Sequence, residues 1–279
     1  MKSLLFSILL FINCTDKVTS KIVEEEKILL PKKNKFKIAT LEWSPYVGTE
    51  IEKYGYVYQI VKRSLEEEGI EVEIEFYPFA RILNLVNTGE ISGYFPEYHS
   101  VENEKNFYYS NAFPGGDLLF LKKKERQINI KTSNNKIDFQ SLKEYKIGVV
   151  RGYLHTPEFD EAIKFLNIQE TASDLMNLKK LFMGRVDLIE IDPNVANYLS
   201  QNSMKQFTNA ANAFEVVEPK MDYKDLFLCI PRSDKNGKKL LNKFNSGFEK
   251  LKSRGEIEKI LKEFNFKEGR YKGKKHGRE

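Results

Sequence analysis

The feature that most narrows the fold of this chain is a pattern it carries twice. Leu181-Phe-Met-Gly-Arg-Val-Asp-Leu-Ile-Glu-Ile-Asp-Pro193 closes an amphipathic helix, turns at Gly184, runs an apolar strand and ends on acidic residues. About a hundred residues earlier, Leu85-Val-Asn-Thr-Gly-Glu-Ile-Ser-Gly-Tyr-Phe-Pro-Glu-Tyr98 does the same around Gly89. In each copy the glycine stands where a helix C-terminus needs positive φ, which a residue without Cβ adopts freely. In each, polar and aromatic residues fall at the carboxyl end of the strand, the edge at which open α/β sheets bind ligands. Two such edges facing one another would form a cleft.

The rest of the chain follows the same rhythm. Phe36 to Leu41 alternates as a first strand and breaks into Glu42-Trp-Ser-Pro-Tyr46, a loop with two large aromatics beside a proline. Val57, Ile60, Val61, Ser64 and Leu65 recur at helical spacing, and Gly69 ends that helix. Ile70 to Phe76 has strict period two, the mark of a half-exposed strand, and a short helix around Phe79 to Val86 leads into the first copy of the pattern. Strand and helix alternating in this way predict parallel sheets. A crossing between halves is expected near Leu121, after Phe-Pro-Gly-Gly, with a polar spacer reaching to about Lys136.

Tyr145 to Gly152 then reads as a buried strand, and Thr156-Pro157 as the start of a helix turning Phe159, Ala162, Ile163 and Leu166 inward. Ser173 or Asp174 caps the helix that ends at Gly184, and a further helix covers Asn194 to Ser200. The chain is expected to cross back near Tyr223 to Pro231. Two helices follow, about Gly237 to Ser253 and Glu256 to Phe264.

A chain of 279 residues has room for two compact α/β halves. Its 45 basic and 40 acidic residues leave a net charge of only +5, and the basic excess gathers on no helix or stripe, which argues against nucleic acid as a partner. Met1 to Cys14 has one lysine and a short apolar core, the pattern of an export signal, and is too short for a bilayer span of about 20 residues. It ends at Cys14, as bacterial lipoprotein signals do, with Asn13 where those signals carry a small residue. The expected division is therefore a signal peptide over 1–13 and a tether over 14–35 acylated at Cys14. Beyond the folded body lies a basic, glycine-rich tail over 267–279. Cys229, inside Leu226 to Ile230, reads as a buried thiol without a disulfide partner.

Together these stretches resemble the bacterial extracellular solute-binding proteins of family 3, the polar amino-acid type that feeds ABC importers. The signposts are the aromatic-Pro loop Trp43 to Tyr46, Gly55-Tyr-Val-Tyr-Gln-Ile-Val61, Leu85 with Gly89, and Tyr109-Ser-Asn-Ala-Phe113. Further along come Leu142 to Gly152, Gly184 to Asp192, and the ending Phe244 to Ile257. The resemblance spans most of Phe36 to Phe266. It implies an α/β, two-lobed periplasmic binding protein fold (type II) with mixed, mostly parallel sheets and two hinge strands. Lobe one would hold 36–121 and 225–266, and lobe two 122–224. It also implies a monomer at the cell envelope that catches a small polar ligand, an amino acid or a related amine or acid, by hinge closure and passes it to an ABC permease.

The candidate ligand residues are Trp43, Tyr46, Arg81, Glu97, Tyr98, Arg151, Gly152, Tyr153 and Asp192. Trp43 and Tyr46 suit a wall that stacks on the ligand. Asp192 matches the family's aspartate for a ligand ammonium, and Arg151-Gly-Tyr153 matches its carboxylate-binding turn, with Tyr153 replacing a small hydroxyl. Ser100-Val-Glu-Asn103 departs from the family's Thr-x-x-Arg, so Asn103 cannot form the forked pair with an α-carboxylate. Two rival functions share the fold: a cyclohexadienyl dehydratase-like enzyme, and a sensing domain for a membrane receptor. No paired carboxylates at a readable spacing, nucleophile elbow or metal motif is present. Of His99, His155 and His276 only His155 falls near the cleft. A non-enzymatic protein without metal or cofactor is expected.

Overall fold

The computed structural model describes residues 36–264 and 266. The expected signal peptide 1–13, Cys14, the tether 14–35 and the tail 267–279 lie outside the described residues. Strand β1 (Phe36–Thr40) buries Ile38 and Ala39 completely. Helix α1 (Tyr56–Glu67) turns Val57, Ile60, Val61, Ser64 and Leu65 inward, the set its spacing predicts. Strand β2 (Val72–Phe76) is half-buried throughout, as its alternation requires. Helix α2 (Phe79–Asn87) and the wholly buried β3 (Gly93–Glu97) form the first copy of the repeated pattern. Short β4 (Phe107–Tyr109) and long β5 (Phe113–Lys123) follow.

The spacer after β5 holds a small hairpin, β6 (Thr132–Ser133) and β7 (Lys136–Ile137). Strand β8 (Lys146–Val150) leads to α3 (Pro157–Ile163), where the Thr156 hydroxyl accepts from the Phe159 N–H at 3.2 Å. Then come β9 (Asn167–Thr171), α4 (Asp174–Phe182), β10 (Leu188–Ile191) and α5 (Pro193–Asn202). Strand β11 (Phe214–Pro231) and helices α6 (Gly237–Ser253) and α7 (Glu256–Glu263) complete the described chain.

Short β4, the β6–β7 hairpin and β9 have no counterpart in the sequence expectation, and β11 starts earlier than expected. Strand β9 was not foreseen, because Asn167, Gln169 and Glu170 give an edge strand no apolar alternation. Strand β11 begins at Phe214, well before Tyr223. Its first stretch pairs with β5 as a mostly half-buried ribbon, from Phe214 opposite Lys123 to Leu226 opposite Phe113. Charged residues suit such a ribbon, and so they hide it from a hydrophobic pattern.

The sheet order is β2-β1-β3-β11-β5-β10-β8-β9, with β4 on β11. Strands β2, β1 and β3 run parallel in one half, and β10, β8 and β9 in the other. Between them β5 and β11 lie antiparallel to each other and to their neighbours, two long strands that cross from half to half. This is a two-lobed α/β fold with two hinge strands. One apolar cluster fills the first half around Ile60, Phe95, Phe244 and Phe248 and continues through Leu119, Leu121, Ile189 and Ile191. The residues that alternate with them, Phe120 and Leu188, join Ile147 and Phe159 in a second cluster on the opposite face.

Candidate functional site

The loop after β1 is tight. The Trp43 N–H reaches the Val47 carbonyl at 2.9 Å and the Tyr46 N–H reaches the Trp43 carbonyl at 3.0 Å. That geometry stacks the two rings, with centroids 4.5 Å apart and planes inclined at 22°. Both are buried.

From the other half comes Asp192, at the end of β10. It is the N-cap of α5: one carboxylate oxygen accepts the Asn194 N–H at 2.7 Å and the Val195 N–H at 3.2 Å. The other oxygen accepts the Tyr46 hydroxyl at 2.7 Å, and the Asn194 side-chain amide donates to that hydroxyl at 2.9 Å. Tyr46, Asp192 and Asn194 thus bridge the two sheet edges. Burial raises the Asp192 carboxyl to about 7 against the opposing hydrogen bonds, and burial likewise raises the Tyr46 hydroxyl far above its ordinary range. Gly116 on β5 makes room for the bridge: a Cβ there would lie 1.9 Å from the Asp192 carboxylate and 2.2 Å from the Tyr46 oxygen.

A second set of contacts runs beside the first. Tyr98 meets Trp43 edge-on at 5.9 Å, and Tyr153 from the second half meets Phe79 of the first at 5.5 Å. The Tyr153 hydroxyl donates to Asp174 at 2.9 Å; burial raises that carboxyl to about 6, while Tyr153 and Trp43 pull it back. Glu97 is buried, accepting the Tyr98 N–H at 2.7 Å and the Tyr94 hydroxyl at 3.1 Å, and burial lifts it to about 7. Deeper in the second half Glu190 pairs with His155. Burial raises Glu190; burial also lowers His155, but the bond and charge of Glu190 outweigh it and raise the imidazole overall.

Between these groups lies a cavity of about 30 Å³, walled by Trp43, Phe79, Pro96, Glu97, Tyr98 and Tyr153 among others. That is room for roughly two water molecules. Among the described residues no His, Cys, Asp and Glu cluster is arranged to hold a metal, and no helix is long and apolar enough to cross a membrane.

Of the nine residues singled out from sequence, Trp43, Tyr46, Glu97, Tyr98, Tyr153 and Asp192 come together here. Gly152, with φ of 85°, borders the same gap and faces Phe79 and Leu83. The two arginines do not reach it. Arg81 is exposed with its guanidinium over the Tyr77 ring, and Arg151 is exposed and paired with Glu170 at 2.9 Å. Sequence reasoning passed over Phe79, Gly116, Asp174 and Asn194 as site residues. Asp174 reads in the sequence as a candidate helix cap, a place Ser173 takes, and Gly116 and Asn194 act only through contacts made across the gap.

The family profile of bacterial extracellular solute-binding proteins, family 3, matches residues 37–268. No curated protein matches the chain. Among solved structures, the arginine-, lysine-, histidine-binding protein ArtJ from Geobacillus stearothermophilus is similar with a TM-score of 0.68 at 16% identity. The match covers 85% of this chain and 97% of that one. A histidine kinase sensor domain aligns with a TM-score of 0.71 at 13% identity, covering 83% and 96%. An ancestral amino-acid-binding protein, a precursor of cyclohexadienyl dehydratase, aligns at 0.63 and 19% identity, covering 84% and 95%. These identities speak for the fold. With a profile match over most of its length and two halves whose sheet edges meet across a gap, the chain belongs to the bacterial extracellular solute-binding proteins, family 3.

Proposed function

We propose that this protein captures a small polar solute outside the cytoplasm and delivers it to the permease of an ABC importer. The observation that carries the reading is the Tyr46–Asp192–Asn194 bridge, which joins the two sheet edges beside an aromatic-walled cavity. Lobe one comprises 36–121 and 225–266 and lobe two 122–224, hinged where β5 and β11 cross. A solute that touches both lobes binds the closed form better than the open one and shifts the population by that difference. Trp43, Tyr46, Tyr98 and Tyr153 supply ring faces, and Asp192, Asp174 and Glu97 supply acceptors in a site from which closure removes water. A cation against such a ring gains about 0.5–2 kcal/mol. Acylation at Cys14 would hold the protein at the membrane beside its permease.

The test is a thermal-shift panel of amino acids, polyamines, sugars and small acids, followed by small-angle scattering with any hit. A true ligand at 100 times its Kd adds about 2.7 kcal/mol of stability. Compaction on binding is expected. A panel that shifts nothing, or binding without compaction, overturns the reading.

A further inference from the structure

The solute's charge can be argued from what faces the cavity. Its walls are the rings of Trp43, Phe79, Tyr98 and Tyr153, and Glu97 is the one ionisable acid among them. Asp174 and Asp192 are buried close by, hydrogen-bonded to Tyr153 and Tyr46. Among the described residues every hydrogen-bond partner of these three carboxyls is neutral: tyrosine hydroxyls, the Trp43 indole and backbone N–H groups. The basic groups of the neighbourhood are engaged elsewhere. Arg81 lies over Tyr77, Arg151 pairs with Glu170, Lys224 with Asp222 at 3.1 Å, and His155 with Glu190. The two helix starts that border the gap from the second half are also taken. The α5 N–H groups bond Asp192 itself, and the Ser173 hydroxyl accepts the Met176 N–H of α4 at 3.3 Å. Among the described residues of this half, a solute carboxylate would meet acids and capped helices and no cation without a partner.

We propose that the solute is an organic cation without a carboxylate beside its amine, a protonated amine or guanidine of the decarboxylated amino-acid type. The inference rests on the solute-capture reading and narrows it. Such a cation puts charge against ring faces and provides the counter-charge that the buried carboxyls lack. An α-carboxylate would stand opposite like charge and leave its own oxygens unpaired, which selects against the parent amino acid.

Titration calorimetry at pH 8 on the full chain tests this with matched pairs: cadaverine against lysine, agmatine against arginine, with choline and glutamate alongside. The expected result is that an amine binds at least about tenfold tighter than its parent amino acid. Asp192→Asn, whose asparagine still caps α5, should weaken that amine by about tenfold or more while the far-ultraviolet spectrum stays unchanged. Equal or tighter binding of the parent amino acid overturns the inference and leaves solute capture standing. So does binding of a neutral or anionic solute while every amine fails. If no solute of the wider panel binds, both readings fall.

Discussion

The two glycine-turned edges begin alike and finish differently. Helix α2 ends with the Gly89 N–H on the Val86 carbonyl at 3.1 Å and the Glu90 N–H on the Leu85 carbonyl at 2.9 Å. Helix α4 ends with Gly184 on Leu181 at 3.0 Å and Arg185 on Lys180 at 2.9 Å, the same paired closure. Strands β3 and β10 then run parallel to β1 and β8, and an acid stands eight residues past each glycine. At that acid the likeness stops. Asp192 precedes Pro193, which begins a helix, so its carboxylate is seized by the helix start and its second oxygen reaches Tyr46. Glu97 precedes Tyr98 and no helix; its longer side chain turns back on the Tyr98 N–H and on Tyr94. The repeated pattern sets where the acid stands, and the residue after it decides whether the acid spans the gap.

The sharpest way to break this comparison is Gly116→Ala. The added methyl would overlap both the Asp192 carboxylate and the Tyr46 hydroxyl, and nothing equivalent touches Glu97. Overpacking of this kind costs about 1–3 kcal/mol, and it falls on the closed form, because separated lobes no longer bring the pair onto Gly116. Solute affinity should drop about 5- to 150-fold by calorimetry, with the secondary structure unchanged. Retained affinity would mean that the bridge is not part of the bound state.

A smaller effect separates Asp192 from Glu97 by pH. Both carboxyls are raised by burial to about 7, and Asp174 to about 6, while an unfolded chain ionises them near pH 4. The groups around them are Tyr46, Asn194, Tyr94, Tyr98, Tyr153 and Trp43, with Glu190 and Asp174 as like charges. Between about pH 4 and 7 the folded state holds more protons than the unfolded one. This contribution is therefore full below pH 4 and is lost as pH rises through about 7. His155, raised by Glu190, declines in the same direction. Glu68, pulled down to about 2 by Lys243, Lys250 and Ser246, opposes this, but its contribution fades only below about pH 4. The Tm of the solute-free protein should therefore fall between pH 5 and 8. Asp192→Asn and Glu97→Gln should each flatten that slope and weaken solute binding, Asp192→Asn the more because it also alters the bridge to Tyr46 across the gap. Identical effects on binding would erase the distinction drawn between the two acids.

How much of this could be read from sequence depends on the kind of signal. Glycine turns, caps and helical faces are local, so α1, α2, α4 and α6 stand where spacing puts them, and Thr156 and Ser173 cap as their positions predict. Strand β9 and the outer stretch of β11 carry polar residues on half-buried ribbon and show no such pattern. In the site, residues at strand ends were legible because sheets present those ends to ligands. What was not legible depends on distance across the gap. Arg81 and Arg151 look like cleft residues by position, yet each finds a nearer partner on its own surface, Tyr77 and Glu170. Gly116 has meaning only once Tyr46 and Asp192 are seen above it.

The mildest test returns to the two glycines. Gly89 and Gly184 have φ of 74° and 68°, and a Cβ at either meets no atom within 4 Å. Replacing either with alanine therefore adds no clash, only the cost of left-handed backbone, about 1–2 kcal/mol. At roughly 2–4 °C per kcal/mol for a chain of this size class, the two variants should lower Tm by similar amounts and leave solute affinity at the wild-type value. Asparagine at either site should cost less than alanine, because its short polar side chain tolerates that conformation. Unequal losses would show that the two turns, alike in hydrogen bonding, carry different loads, and that the edges already diverge at the glycine and not first at the acid.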